Sequence, residues 1–361
     1  MEVLMARIWQ TFGNDAHVMC MALLDEMNAF RLVPADGVVA LKPNLVLAAR
    51  PEDGAVTHPG VLSGCIEYLL EHGVARDSIS VIESSWVGDR TMRAMRRAGY
   101  EEVLAHYDVA FYDLKRDAAR RVDSPLGSID VCTRALDAGL LIDLPVLKGH
   151  CQTKMTCALK NLKGCIPDSE KRRYHTLGLT RPIAALASVL RPRLTVVDAI
   201  CGDLDFEEGG TPVETNLMYA CEDPVTADAY GRALMGLEQG DVPYIELAER
   251  WGAGSTAWSE ADVVTIGEPV RSGVSARPAG TVAKLTRNVH EDSACSACYA
   301  SLVRALHAVG GYRGTISIGQ GFRGKKISGL GIGRCCAGAD ECVMGCPPAA
   351  DAIARCLKHG M

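Results

Sequence analysis

Four short runs of uninterrupted apolar residues, each closing on a polar corner, constrain the fold of this chain more than any other feature. They are "GVVALKPNLV" (37 to 46), "SISVIES" (78 to 84), "GLLIDLPVL" (139 to 147) and "RLTVVDAI" (193 to 200). Runs of this length without polar alternation read as strands buried on both faces, the habit of parallel sheets covered by helices. Between the first two, Pro59 starts a helix with Leu62, Ile66, Leu69 and Leu70 on one face, and Gly73 stops it. Strand, helix, strand in that order predicts a parallel pair with a right-handed crossover. "VTADAYGRALMGL" (225 to 237) and "PYIELAERWG" (243 to 252) then read as helices, and "ADVVTIG" (261 to 267) as a last strand. The expected fold class is α/β, a doubly wound and mostly parallel sheet occupying residues 1–270.

Composition agrees with that class. A chain of 361 residues exceeds one small core, and it is 48% apolar but only 5% aromatic, with 36 glycines. Its 38 basic and 44 acidic residues give a net charge of -6, which provides no basic face for nucleic acid or a membrane surface. The opening "MEVLMARIWQTFGNDAHVMC" carries Glu2, Arg7 and Asp15, charges that the apolar stretch of a signal peptide excludes. No run reaches the roughly 18–20 apolar residues of a membrane span. The expected location is the cytoplasm, with no nucleic-acid or membrane partner.

From about residue 267 the texture changes. "GEPVRSGVSARPAGTVAKL" (267 to 285) reads as a linker. Residues 271–361 read as a small, cysteine-rich subdomain, too short to be held by apolar burial alone and therefore needing a metal staple. Fifteen cysteines, an odd number without a secretory signal, argue for metal ligation or reactive thiols over a disulfide framework. Six of them lie between Cys295 and Cys346. The pair Cys295-x-x-Cys298 aims two sulfurs at one point, and two thiolates from distant segments complete four-coordination. Zinc and iron–sulfur clusters both use such a set. Cys346 directly before Pro347, and the glycines of "SGLGIGRC", favour a [4Fe-4S] cluster over zinc. The expected ligands are Cys295, Cys298, Cys335 and Cys346, with Cys336 the rival for the third place and Cys342 the remaining candidate. "GQGFRG" spells Gly-x-Gly-x-x-Gly at Gly319, Gly321 and Gly324, but no helical periodicity follows it. It reads as a turn beside the cluster, not a dinucleotide site.

The second concentration of chemistry is "PVLKGHCQTKMTCALKNLKGC" (145 to 165), after a core strand. In open α/β sheets, ligands bind beyond the carboxyl ends of strands. Lys148, His150, Lys160 and Lys163 are expected to converge there with Lys42, Asn44, Thr57, His58, Glu83 and Asn161 from neighbouring strand ends. Ammonium groups beside a histidine suit a small anionic substrate, carboxylate or phosphate, and proton transfer. His150, Lys160 and Lys148 are the catalytic candidates. Cys151, Cys157 and Cys165 have spacings that fit no common cluster loop and read as buried or lone thiols.

"LKPNLV", "THPGV", "IESS", "LKGH…ALKNLKG", "VVDAI", "EDPVTADAYG" and "IGQGFRGK…GIGRC…GCPP" stand in this order. Together, over about residues 35 to 355, they resemble the domain-of-unknown-function 362 family of bacterial and archaeal proteins. That resemblance implies a cysteine-ligated [4Fe-4S] centre and supplies no reaction. The spacing of His150 and Lys160 also resembles, locally, the nickel-pincer lactate racemases, where a Lys in that place is tied to the cofactor and a nearby His serves catalysis. His175 is the only other histidine at an obvious matching place. Three functions follow: an iron–sulfur oxidoreductase on a small anionic substrate, with an electron-donor protein as partner; a non-redox isomerase or ligase with a structural cluster; or an electron-transfer module.

Overall fold

The computed structural model describes residues 6–206, 210–268 and 280–359. The expected runs become strands β2 (Val39–Pro43), β3 (Ile79–Glu83), β5 (Leu140–Leu144), β6 (Leu194–Asp203) and β8 (Val263–Ile266), and three strands that the sequence reading did not expect join them: β1 (Ile8–Phe12), β4 (Ala110–Asp113) and β7 (Pro212–Cys221). They form one sheet in the order β8-β1-β7-β6-β5-β2-β3-β4. All its pairings are parallel except those of β7, which runs antiparallel to both β6 and β1.

Alternate strand residues feed two cores, because successive side chains of a strand point to opposite faces. Val39 and Leu41 of β2 pack with Leu140 and Ile142 of β5 beneath α1 (Ala16–Glu26) and α2 (Pro59–Glu71). Ala40, Leu141 and Val197 face the other way. That side is covered by α3 (Ala158–Asn161), α4 (Asp168–Thr176), α5 (Thr180–Leu190), α6 (Pro224–Leu234) and α7 (Tyr244–Arg250). The caps are written in the sequence: Asp15 accepts from the amides of His17 and Val18, and Asp223 from those of Val225 and Thr226. The molecule is thus α/β and doubly wound, with a mostly parallel central sheet. Among the described residues no helix is long and apolar enough to cross a membrane.

A second sheet follows, built from β9 (Val289–Glu291), β10 (Ile316–Ile318), β11 (Ile327–Ile332) and β12 (Ala339–Val343), in that order and wholly parallel. Leu302 and Leu306 of α8 (Ser296–Val309) and Ile353 and Leu357 of α9 (Ala350–His359) pack with Ile316, Ile318, Leu330 and Ile332 in a third core. The sequence reading expected neither this sheet nor its core, and took the segment as too small to be held by apolar burial alone. The sheet escaped notice because glycines interrupt its strands: a Cβ on Gly331 would lie 2.7 Å from that of Ala339. Of the stretch read as a linker, residues 269–279 lie outside the described residues, and Thr281–Leu285 is a short helix. Gln152 clasps the two parts. Its amide donates to Glu291 Oε1 and to the Ala294 carbonyl, both at 3.0 Å, and accepts from Ser296 Oγ at 3.0 Å.

Candidate functional site

The carboxyl ends of β2, β3 and β5 meet in a buried polar network. Lys42 Nζ donates to Glu83 Oε2 at 2.7 Å, to the Pro43 carbonyl at 2.8 Å and to Asn161 Oδ1 at 3.3 Å. Asn161 Nδ2 in turn donates to Asp143 Oδ1 at 2.8 Å and to the Lys42 carbonyl at 3.2 Å. Burial alone would lower Lys42, but the neighbouring Glu83, Cys165 and Asp143 hold it above its ordinary value, so it stays an ammonium. Asp143 goes the other way: burial pushes its carboxyl up to about 8 against the pull of Lys42 and Asn161. Gly164 presses its backbone onto this network, for a Cβ there would lie 1.8 Å from Glu83 Oε1 and 2.7 Å from Lys42 Nζ.

Above the network, between the two sheets, lies a cavity of about 150 Å³. From the first half, Asn44, Glu83, Lys160, Asn161 and Lys163 line it. So do Lys171, Arg172 and His175 from α4, and Ser84, Trp86 and Thr156. Lys160 Nζ donates to Thr156 Oγ1 at 3.0 Å, and Lys163 Nζ lies 3.4 Å from His175 Nε2. Lys171 is buried and donates to Ser84 Oγ at 2.6 Å and to the carbonyls of Ser84 and Ser85 at 3.0 and 2.8 Å. Burial pushes its amine down to about 8, although Asp168 and Glu83 pull the other way.

From the second half, Cys295, Cys298, Cys335 and Cys346 line the same cavity. Cys295 is the N-cap of α8 and Cys298 lies in its first turn, where the helix dipole favours negative charge. Cys335 sits in the turn after β11 and Cys346 in the loop after β12. Burial pushes the Cys298 thiol up to about 12, with Cys295, Cys346 and Cys335 adding to the effect, so the four sulfurs sense one another. Two donors reach them from "GQGFRG": Gln320 Nε2 lies 3.6 Å from Cys295 Sγ and Arg323 Nη2 3.5 Å from Cys335 Sγ. Cys336 is fully buried, its Sγ 4.0 Å from the Gly319 carbonyl, and Cys342 Sγ lies 3.6 Å from the Gly333 carbonyl. Neither lines the cavity.

Five residues expected at the cavity do not line it, which corrects the sequence reading. Lys42 lies beneath the floor as the partner of Glu83. Thr57 ties the strand corner, accepting from the Asn44 amide at 2.9 Å and donating to the Leu144 carbonyl at 2.6 Å. His58 caps α2, its Nδ1 accepting from the Gly60 amide at 3.0 Å. Lys148 is fully buried and donates to the Ala55 carbonyl at 2.5 Å. His150 Nδ1 accepts from the amides of Gln152 and Thr153, both at 3.0 Å, and so caps the turn that carries the Gln152 clasp. After β5 the chain leaves the sheet for a ribbon, Lys148–His150 against Lys154–Thr156, which turns these side chains away. Missed altogether were Lys171 and Arg172, whose "SEKRRYH" context reads as a solvated helix face; the i,i+4 spacing of Lys171 and His175 was the available signal.

The model of a family described as a domain of unknown function, DUF362, matches residues 39–233. The chain is 26% identical over 240 residues to thylakoid-associated protein sll1697 of Synechocystis sp., covering 62% of this chain and 70% of that protein. It is also similar to the lactate racemase apoprotein from Thermoanaerobacterium thermosaccharolyticum, at 14% identity and a TM-score of 0.41. That likeness covers 58% of this chain and 53% of the racemase, so the chain spans about half the length of that protein.

Proposed function

Because the chain belongs to the DUF362 family, whose description assigns no reaction, we propose its function from the site itself: a [4Fe-4S] protein that acts as an oxidoreductase on a small anionic substrate. The observation that carries this reading is a single cavity lined on one wall by four thiols and on the other by lysines, an arginine and a histidine. The donor set fits a cluster. Four soft sulfur ligands come from three segments, and Gly333 leaves the space beside Cys298, where its Cβ would lie 3.6 Å from the sulfur. Zinc would draw four sulfurs to about 2.3 Å from one point. Among the described residues no three His, Cys, Asp or Glu side chains stand ready for a single ion.

Such a cluster supplies single electrons when bound. The chain supplies the rest. Lys160, Lys163 and Arg172 hold the anion, and the apolar wall of Val46, Trp86 and Val87 limits water around it. The proton role expected of His150 passes to Lys171, whose amine near pH 8 both carries and releases a proton at the cavity wall. A lined cavity is more than an electron-transfer module alone requires. Fifteen unbridged cysteines suit a reducing cytoplasm.

The test is anaerobic purification, followed by iron, sulfide and zinc analysis and a spectrum before and after dithionite. A brown protein with about four irons, a band near ~400 nm and bleaching on reduction is the expected result. A colourless protein carrying one zinc would end the redox reading.

A further inference from the structure

The geometry points to the "GQGFRG" loop as the part of this protein that sets the reduction potential of its thiolate-bound centre, through Gln320 and Arg323. This rests on the cluster reading above and extends it to two residues outside the ligand set.

The loop carries three glycines, and two of them are required by its close approach to the turn at Asp292. Gly319 has φ +131°, and a Cβ on it would lie 1.9 Å from the Asp292 carbonyl oxygen. A Cβ on Gly321 would lie 2.0 Å from the Asp292 carboxylate. Backbone bonds fix the contact: the Gln320 amide donates to the Ser293 carbonyl at 3.1 Å, and the Gly321 amide to the Asp292 carbonyl at 3.0 Å. Held there, the loop delivers one donor to each of two different thiols. Gln320 Nε2 reaches Cys295 Sγ at 3.6 Å, and Arg323 Nη2 reaches Cys335 Sγ at 3.5 Å. Gln320 Nε2 also lies 3.3 Å from the Arg172 carbonyl on α4, so the same amide touches both halves of the cavity.

Donors to ligand sulfurs stabilise the reduced, more negative form of a cluster and raise its potential. The two donors differ in kind. Gln320 contributes a neutral N–H, whereas Arg323 contributes a charge on an exposed side chain, which salt screens. The part due to Arg323 therefore shrinks at high ionic strength, and the part due to Gln320 does not.

The experiment is an anaerobic redox titration of the whole purified protein, followed by electron paramagnetic resonance, for wild type, Arg323→Met, Arg323→Lys and Gln320→Leu. Iron and sulfide are assayed in each sample. At low salt and fixed potential, Arg323→Met is expected to show a ratio of reduced to oxidised cluster about tenfold below that of wild type, equivalent to 59 mV for one electron. Gln320→Leu is expected to lose severalfold. Arg323→Lys keeps the charge and recovers part of the shift, and high salt narrows the gap between wild type and Arg323→Met. Unchanged midpoints in both Arg323→Met and Gln320→Leu, with iron content equal to wild type, would overturn this inference and leave the cluster reading standing. A wild type without reducible iron would overturn both, and the metal assay tells the two failures apart.

Discussion

Asp143 and Gly164 show how much of the site lies in single residues that never touch a ligand. Asp143 has no exposed surface, and its carboxyl sits at about 8 because burial outweighs Lys42 and Asn161. An unfolded Asp releases its proton near about 4. The folded chain therefore keeps a proton that the unfolded chain has lost, and the stability from that proton is full below about pH 4 and gone above about pH 8. Each pH unit in that window costs up to about 1.4 kcal/mol. Asp228, raised by burial to about 7, acts with the same sign. Urea midpoints between about pH 5 and 8 should fall for wild type and fall distinctly less for Asp143→Asn; equal slopes would place the effect elsewhere. Gly164→Ala forces a methyl group onto the Lys42–Glu83 pair, and we expect a loss of about 2–4 kcal/mol with weakened anion binding. Wild-type stability in this variant would mean that the turn simply moves aside. At this scale the sequence was half legible. Lys42 and Glu83 were singled out because polar residues at the ends of apolar runs stand out, and Asn161 because it follows the lysine-rich crossover one short helix later. Their division into floor and wall was not, because it depends on where Gly164 brings the chain back.

The elements divide the labour of the site. The ends of β2 and β3 supply the floor, α3 and α4 the cationic wall, and the start of α8 with the turns after β11 and β12 the thiols. That division separates the cysteines experimentally. Cys295 occupies the N-cap position of α8 without a side-chain capping bond, and serine is a favoured residue there. Cys295→Ser should lose iron while its metal-free form keeps the thermal midpoint of the metal-free wild type. Cys336 sits fully buried outside the cavity lining, and Cys336→Ser should do the reverse: a lower midpoint, from a stability loss of about 1–3 kcal/mol, with iron retained. If the two variants exchange behaviours, Cys336 is a ligand and Cys295 is not. The main strands and helices were readable because buried parallel strands lack alternation. The second sheet was not, since "ISGLGI" has glycine where a strand usually shows side chains, and His150 was misplaced because nothing in "KGH" announces that the chain leaves the sheet.

Across the whole molecule, a mostly parallel sheet and a wholly parallel one face one cavity, and each has its own apolar packing. On this architecture we expect metal not to be needed as a staple. Removing it anaerobically should leave the far-ultraviolet circular dichroism intact and β9 to β12 protected from hydrogen exchange, while the turn at 333–338 and the loop at 344–348 exchange faster. Collapse of that protection would mean that the third core is insufficient by itself. The Gln152 clasp adds a coupling: Gln152→Leu should keep both cores but lower cluster retention, because it releases the loop that carries Cys295. The separation of thiols from cations also orders events in time. A ribosome adding roughly 5–20 residues per second releases Cys346 some ten to thirty-five seconds after Lys171. During that interval a growing chain carries the lysines of one wall and not yet the full set of thiols facing them. On the function proposed above, the groups that would hold a substrate are thus made well before the ligands of the cluster are complete, and a chain stopped short of Cys346 would lack one of the four.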